Sequence, residues 1–208
     1  MPDQAHPGVF WRIVDESGAG PDSVTLVFET AEEERKALQL ETDIVTAEFL
    51  SYVGKDHVDV AWTQDDFELL QVLLRKQFPE RFDEDRMGFH LDLTDESVLD
   101  TIAVLAAARF SDPQRADDWL LSHGWTTVQR SYEVGDMVAL STDMGFCLGV
   151  LVALDAVEAE VVLLECVEVD QDTPHQSVRL HELVRVDKAD LLPDTFGSVL
   201  TSEEDTVH

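Results

Sequence analysis

Gly135-Asp136-Met137-Val138-Ala139-Leu140, followed by Phe146-Cys147-Leu148-Gly149-Val150-Leu151-Val152-Ala153, opens a stretch of about sixty residues in which helical periodicity gives way to strand-like runs. Two more runs follow, Glu160 to Val169 and Ser177 to Val186. The separators are Thr142-Asp143-Met144-Gly145, Asp155-Ala156-Val157-Glu158 and Asp170 to His175, all of turn composition. Short strands at regular spacing with turns between them predict a small barrel or meander. The change of period places a domain break near 126–134. It predicts an α+β domain over 1–125 and a small all-β domain over 126–200, with a polar, acidic and frayed tail over 201–208.

Working back from that break, Asp112 has the chemistry of an N-cap and Pro113 fits a first helical position. Ala116, Trp119 and Leu120 would make one face and Gly124 would end it, which predicts a helix over 112–124. Before it, Thr94 or Asp95 caps a helix with Val98, Leu99, Ile102, Leu105 and Ala106 as apolar positions, running to Phe110. A third helix starts after Thr63. Asp65 and Asp66 occupy its first turn, Phe67, Leu70, Leu74 and Phe78 its packed face, Arg75 and Lys76 its last turn, and Pro79 stops it. Ala31 to Gln39 reads as a short exposed helix, and Met87 to Leu93 as a strand. Val9 to Val14 and Val24 to Phe28 read as two early strands. Ile44 to Val53 and His57 to Trp62 flank Gly54-Lys55-Asp56 and predict a hairpin. This element order suits an antiparallel sheet with helices on one face.

The chain carries 44 Asp+Glu against 14 Lys+Arg, a formal net charge of −30 over 208 residues. The excess is not a tail, because residues 1–125 hold 27 acidic and ten basic side chains and residues 126–208 hold 17 and four. A duplex or an anionic membrane binds through Lys and Arg, which form no stripe here, so neither nucleic acid nor a membrane surface is expected as partner. A basic protein is favoured. With 44% hydrophobic residues the chain has the material for a core. Met1 to Pro7 offers neither a basic n-region nor an apolar h-region, and a cytosolic setting is expected. Cys147 and Cys166 fall in strand runs; they read as small buried hydrophobes or, alternatively, as a redox pair across neighbouring strands.

His90 and Asp92 stand two apart on the expected strand, share a face and could help hold a metal; no HExxH, EF-hand loop or Cys/His knuckle accompanies them. No cofactor is implied, since the glycines form neither GxGxxG nor a P-loop. His175 and His181 are expected at the surface. Catalysis by Cys147 would need a His and a carboxylate supplied from elsewhere in the fold. Three acidic clusters remain: Glu32-Glu33-Glu34; Asp65-Asp66 with Glu68; and Asp83-Glu84-Asp85. They read either as solvated surface with helix N-terminal charge or as carboxylates presented to a basic partner at roughly phosphate spacing. Trp62, Trp119 and Trp125 are hot-spot anchors if exposed and core if not.

The Gly135-Asp136 opening and the Phe146-Cys147-Leu148-Gly149 run resemble the start of SH3-like immunity barrels of bacterial polymorphic-toxin systems. That resemblance covers under a quarter of the chain and implies toxin neutralisation by binding. Combined with the charge, it leads to a non-enzymatic, acidic binding or inhibitory protein of the immunity, antitoxin or nucleic-acid-mimic type. Two alternatives stand beside it: a metal-dependent enzyme with a site of scattered Asp, Glu and His, and acidity as adaptation to a salty cell.

Overall fold

The computed structural model describes residues 8–14, 22–28, 38–46, 57–79, 94–116, 120–121, 131–142, 145–165 and 179–194. Their architecture is mixed α+β, with two helices and two sheets among them. The chain divides into two compact units, 1–71 with 81–111 and 72–80 with 112–208.

The first unit is built on an antiparallel sheet of β1 (Val9–Val14), β2 (Asp22–Phe28), β3 (Leu38–Thr46) and β4 (His57–Ala61), in the order β3-β2-β1-β4. Trp11 and Ile13 alternate inward on β1 and are wholly buried. On β2, Val24 to Val27 are buried in succession, as suits a strand covered on both faces. Between the pairs Ser23↔Val45 and Thr25↔Glu41 the ladder shifts register. There the Thr42 hydroxyl donates to the Val24 carbonyl at 2.7 Å, so the irregularity leaves that acceptor satisfied. Of the expected hairpin, residues 47–56 lie outside the described residues; Ile44 to Thr46 belong to β3, and among the described residues β4 pairs with β1 at the edge of the sheet opposite β3. Arg12 fixes that register by forking onto Asp59, Nε to Oδ1 at 2.7 Å and Nη2 to Oδ2 at 2.9 Å. Leu38 and Gln39, expected in a helix, begin β3, opposite Phe28 and Val27. The rest of that expected helix lies outside the described residues, as does the Met87–Leu93 strand.

Helix α1 (Gln64–Gln77) forms where its apolar spacing and end charges predict it. Thr63 and Asp66 cap it reciprocally: the Thr63 backbone N–H donates to Asp66 Oδ2 at 2.7 Å, and the Asp66 N–H donates to Thr63 Oγ1 at 3.3 Å. Helix α2 (Glu96–Phe110) is capped by Asp95, whose side chain accepts from the Ser97 N–H. Thr101 to Ala107 are all buried, so α2 is covered around its circumference, and in its own unit it packs against β3.

The helix expected over 112–124 is not formed at its start. Gln114–Arg115 is instead a short strand, β5, parallel to β9 (Leu183–Asp187). Asp112 and Pro113 are compatible with a helix start, yet the ladder to β9 offers this backbone better partners, and the Ala116 N–H extends it by donating to the Arg185 carbonyl at 3.2 Å. The Leu120 N–H donates to the Ala116 carbonyl at 3.0 Å, an i→i−4 bond, while 117–119 and 122–124 lie outside the described residues.

The second unit holds a six-stranded sheet, β10-β6-β7-β8-β9-β5, from β6 (Met137–Thr142), β7 (Gly145–Leu154), β8 (Glu158–Leu163) and β10 (Leu192–Pro193) with the two strands already named. The run β6 to β9 is an antiparallel meander. Its order is open, with β10 and β5 as the edges, and no closed barrel is present among the described residues. Val138, Leu140, Cys147, Leu151, Val161, Leu163, Val184 and Val186 form one buried cluster. Gly149 lies opposite Leu163 in the β7–β8 ladder; a Cβ there would overlap the Val161 side chain and stand 2.9 Å from the Val162 carbonyl oxygen.

Candidate interaction surface

The groups singled out from sequence separate by position. Glu32, Glu33, Glu34, Asp83, Glu84, Asp85, His90, Asp92, Cys166, His175, Trp119 and Trp125 lie outside the described residues. Of the acidic group on α1, Asp65 and Glu68 are exposed while Asp66 is 4% exposed. Asp66 is therefore a capping group rather than a surface charge. It accepts from the Thr63 hydroxyl at 2.9 Å as well as from the backbone, and it stands 3.9 Å from Arg109.

His181 is not a surface histidine. It is buried, holds φ at +59° and donates its backbone N–H to the Leu163 carbonyl at 2.8 Å. Its role is to turn the chain into β9. Cys147 is a free thiol packed in the second unit's core, and burial pushes its pKa up from 9.0 to about 12. A thiol in that state is no nucleophile near neutral pH.

The remaining polar groups that draw together do so for structure. The Gly135-Asp136 pair opens β6: Gly135 has φ +88°, and its N–H donates to the Leu151 carbonyl at 2.7 Å. The Asp136 carboxylate accepts from the Glu133 N–H at 2.9 Å and from Lys76 Nζ at 2.7 Å, while Lys76 also reaches Glu133 at 3.0 Å. These two acids raise the Lys76 pKa. The depression beside them, about 260 Å³ and lined by Lys76, Tyr132, Asp136 and Asp194, has its lysine already paired. Arg185 is likewise held by Glu160 at 2.6 Å and its pKa is raised. Asp155 is held below the usual carboxylate range by the N–H groups of Glu158 and Val157, as a turn residue. Among the described residues no three His, Cys, Asp or Glu side chains are gathered to hold a metal, and no helix is long and apolar enough to cross a membrane.

What sequence reasoning missed is Phe67. Its spacing assigns it to the packed face of α1, yet it is 42% exposed. The ring meets Trp62 edge-on at 4.9 Å; Trp62 stacks on Trp11 at 5.5 Å, and Trp11 receives Phe110 at 5.7 Å. Phe67 is thus the solvent end of a column of four rings rooted in the core. The local signal was Trp62 immediately before the cap, which brings an aromatic ring beneath the first turn.

No protein-family model matches the chain, and no curated protein matches its sequence.

Proposed function

We propose that this chain is a non-enzymatic, acidic binding or inhibitory protein that engages a basic or nucleic-acid-handling protein partner, in the manner of an immunity protein, an antitoxin or a nucleic-acid mimic. The observation that carries the reading is the net charge of −30, borne by both halves of the chain. A field of that sign attracts a basic partner and speeds its encounter. The exposed positions of Asp65 and Glu68 and the quiet state of Cys147 support binding over chemistry. The SH3-like barrel is part of the same proposal, supported by the meander β6 to β9 and the Gly135-Asp136 turn that opens it. A cytosolic setting accompanies it, supported by the free thiol of Cys147.

The test is a pull-down with the tagged full chain from source lysate at low salt and at about 0.5 M NaCl, where the screening length falls well below ~8 Å. A stoichiometric basic protein retained at low salt and released at high salt is the expected result. A column empty at both salts overturns the reading.

A further inference from the structure

We propose that the short strand β5 is a releasable strap, clasped to β9 by the Glu158 carboxylate and opened by ionic strength. The need for a clasp comes from the ladder itself. Parallel pairing sets Arg115 directly opposite Arg185, so two guanidinium groups share one face of the sheet in register, and like charges so placed push their strands apart. Few backbone bonds oppose them, since β5 is two residues long and both are exposed. The Ala116 N–H adds one bond to the pairing, to the Arg185 carbonyl at 3.2 Å.

The counter-charge comes from β8. Glu160 lies opposite Arg185 and accepts from its Nη2 at 2.6 Å, which completes a row of Glu160, Arg185 and Arg115 over three strands. Glu158, two residues earlier on the same face, divides its oxygens between the two cations: Oε1 is 3.7 Å from Arg115 Nη1, and Oε2 is 4.0 Å from Arg185 Nε. One carboxylate therefore ties the edge strand to its neighbour. Asp187, opposite Glu158, and Asp155, which feels the charge of Arg185, add negative charge beside it. The Arg115 side chain is 67% exposed and its separation from Glu158 is long, so salt ions compete for this contact. Release bares the outer edge of β9, whose backbone groups then become a template for another strand.

Amide exchange of the full chain, followed by NMR, reads the strap at Ala116 and the rest of the sheet at Leu151, whose N–H donates to the Asp136 carbonyl at 3.0 Å. Raising NaCl from about 0.02 M to about 0.5 M should speed exchange at Ala116 about threefold. Leu151 should stay constant or slow, because the same salt relieves the self-repulsion of the whole chain. At low salt, Glu158→Gln should speed Ala116 about fivefold, since the two arginines then face each other unbridged. Adding Arg115→Met should bring Ala116 back to within about twofold of wild type, because Arg185 then meets no like charge on β5. A carboxylate that served packing alone would not be rescued by removing a second charge. Exchange at Ala116 that is indifferent to salt or to Glu158→Gln, or a loss that Arg115→Met fails to reverse, overturns the strap. Should a variant lose protection at Leu151 as well, the salt series on the wild type decides by itself.

Discussion

Cys147 is 3% exposed between paired strands, and its titration follows from that position. Because its folded pKa is raised from 9.0 to about 12, the thiol favours the folded state fully below its unfolded pKa and loses that contribution as pH rises toward the folded value. In a Cys166→Ser background, Ellman's reagent should leave the native protein unmodified and titrate one thiol after denaturant is added. The urea stability of Cys147→Ala should fall less steeply than that of the parent between pH 9.0 and about 12. Gly149 makes a second case. With Val161 and the Val162 carbonyl against the missing Cβ, Gly149→Ala should cost about 1–3 kcal/mol, measured by urea unfolding. Asp59 titrates in the opposite sense. Arg12 lowers its pKa, so its contribution is present above the unfolded value and disappears as pH falls through the folded one; Arg12→Met should abolish that part of the acid sensitivity.

At the scale of elements, α1 depends on its reciprocal cap. Thr63→Ala should cost about 1 kcal/mol, and Asp66→Ala at least as much because it also leaves Arg109 without its buried carboxylate, both read from denaturant midpoints. That cap was legible in the sequence because capping is local: Thr63, Asp66, the apolar spacing and Pro79 lie within one helix length. The Asp95 cap of α2 was legible for the same reason. The elements that differ are those decided by partners distant in sequence. Asp112-Pro113 carries a helix start in its local chemistry, but Gln114 pairs with Val184. The alternating run His57 to Ala61 predicts a strand, but nothing local in it says that its partner is β1, about forty-five residues earlier. The meander of the second unit was legible from its turns; the edge positions that β5 and β10 take among the described residues were not, each being two residues long. The exposure of Phe67 was equally hidden, because spacing places a residue on a helix face but does not say where the packed surface ends.

For the whole molecule, 44 carboxylate-bearing residues against 14 cations make self-repulsion a standing cost of the compact state. Salt screens it, so the melting temperature should climb as NaCl rises toward about 0.15 M and level off once the screening length is about 8 Å or less. A melting temperature independent of salt would contradict this account, and one that keeps climbing into molar salt would instead mark the acidity as adaptation to brine.

The parallel pairing of β5 with β9 also sets an order of assembly. Gln114 and Arg115 leave the ribosome well before Val184 and Arg185, their partners, so this strand must wait while β6, β7 and β8 zip into consecutive hairpins behind it. Only when β9 joins β8 does a template for β5 exist. A nascent chain cut short before Leu183 would therefore keep the middle of the sheet and lose its outer flank, making completion of this unit a late event in translation.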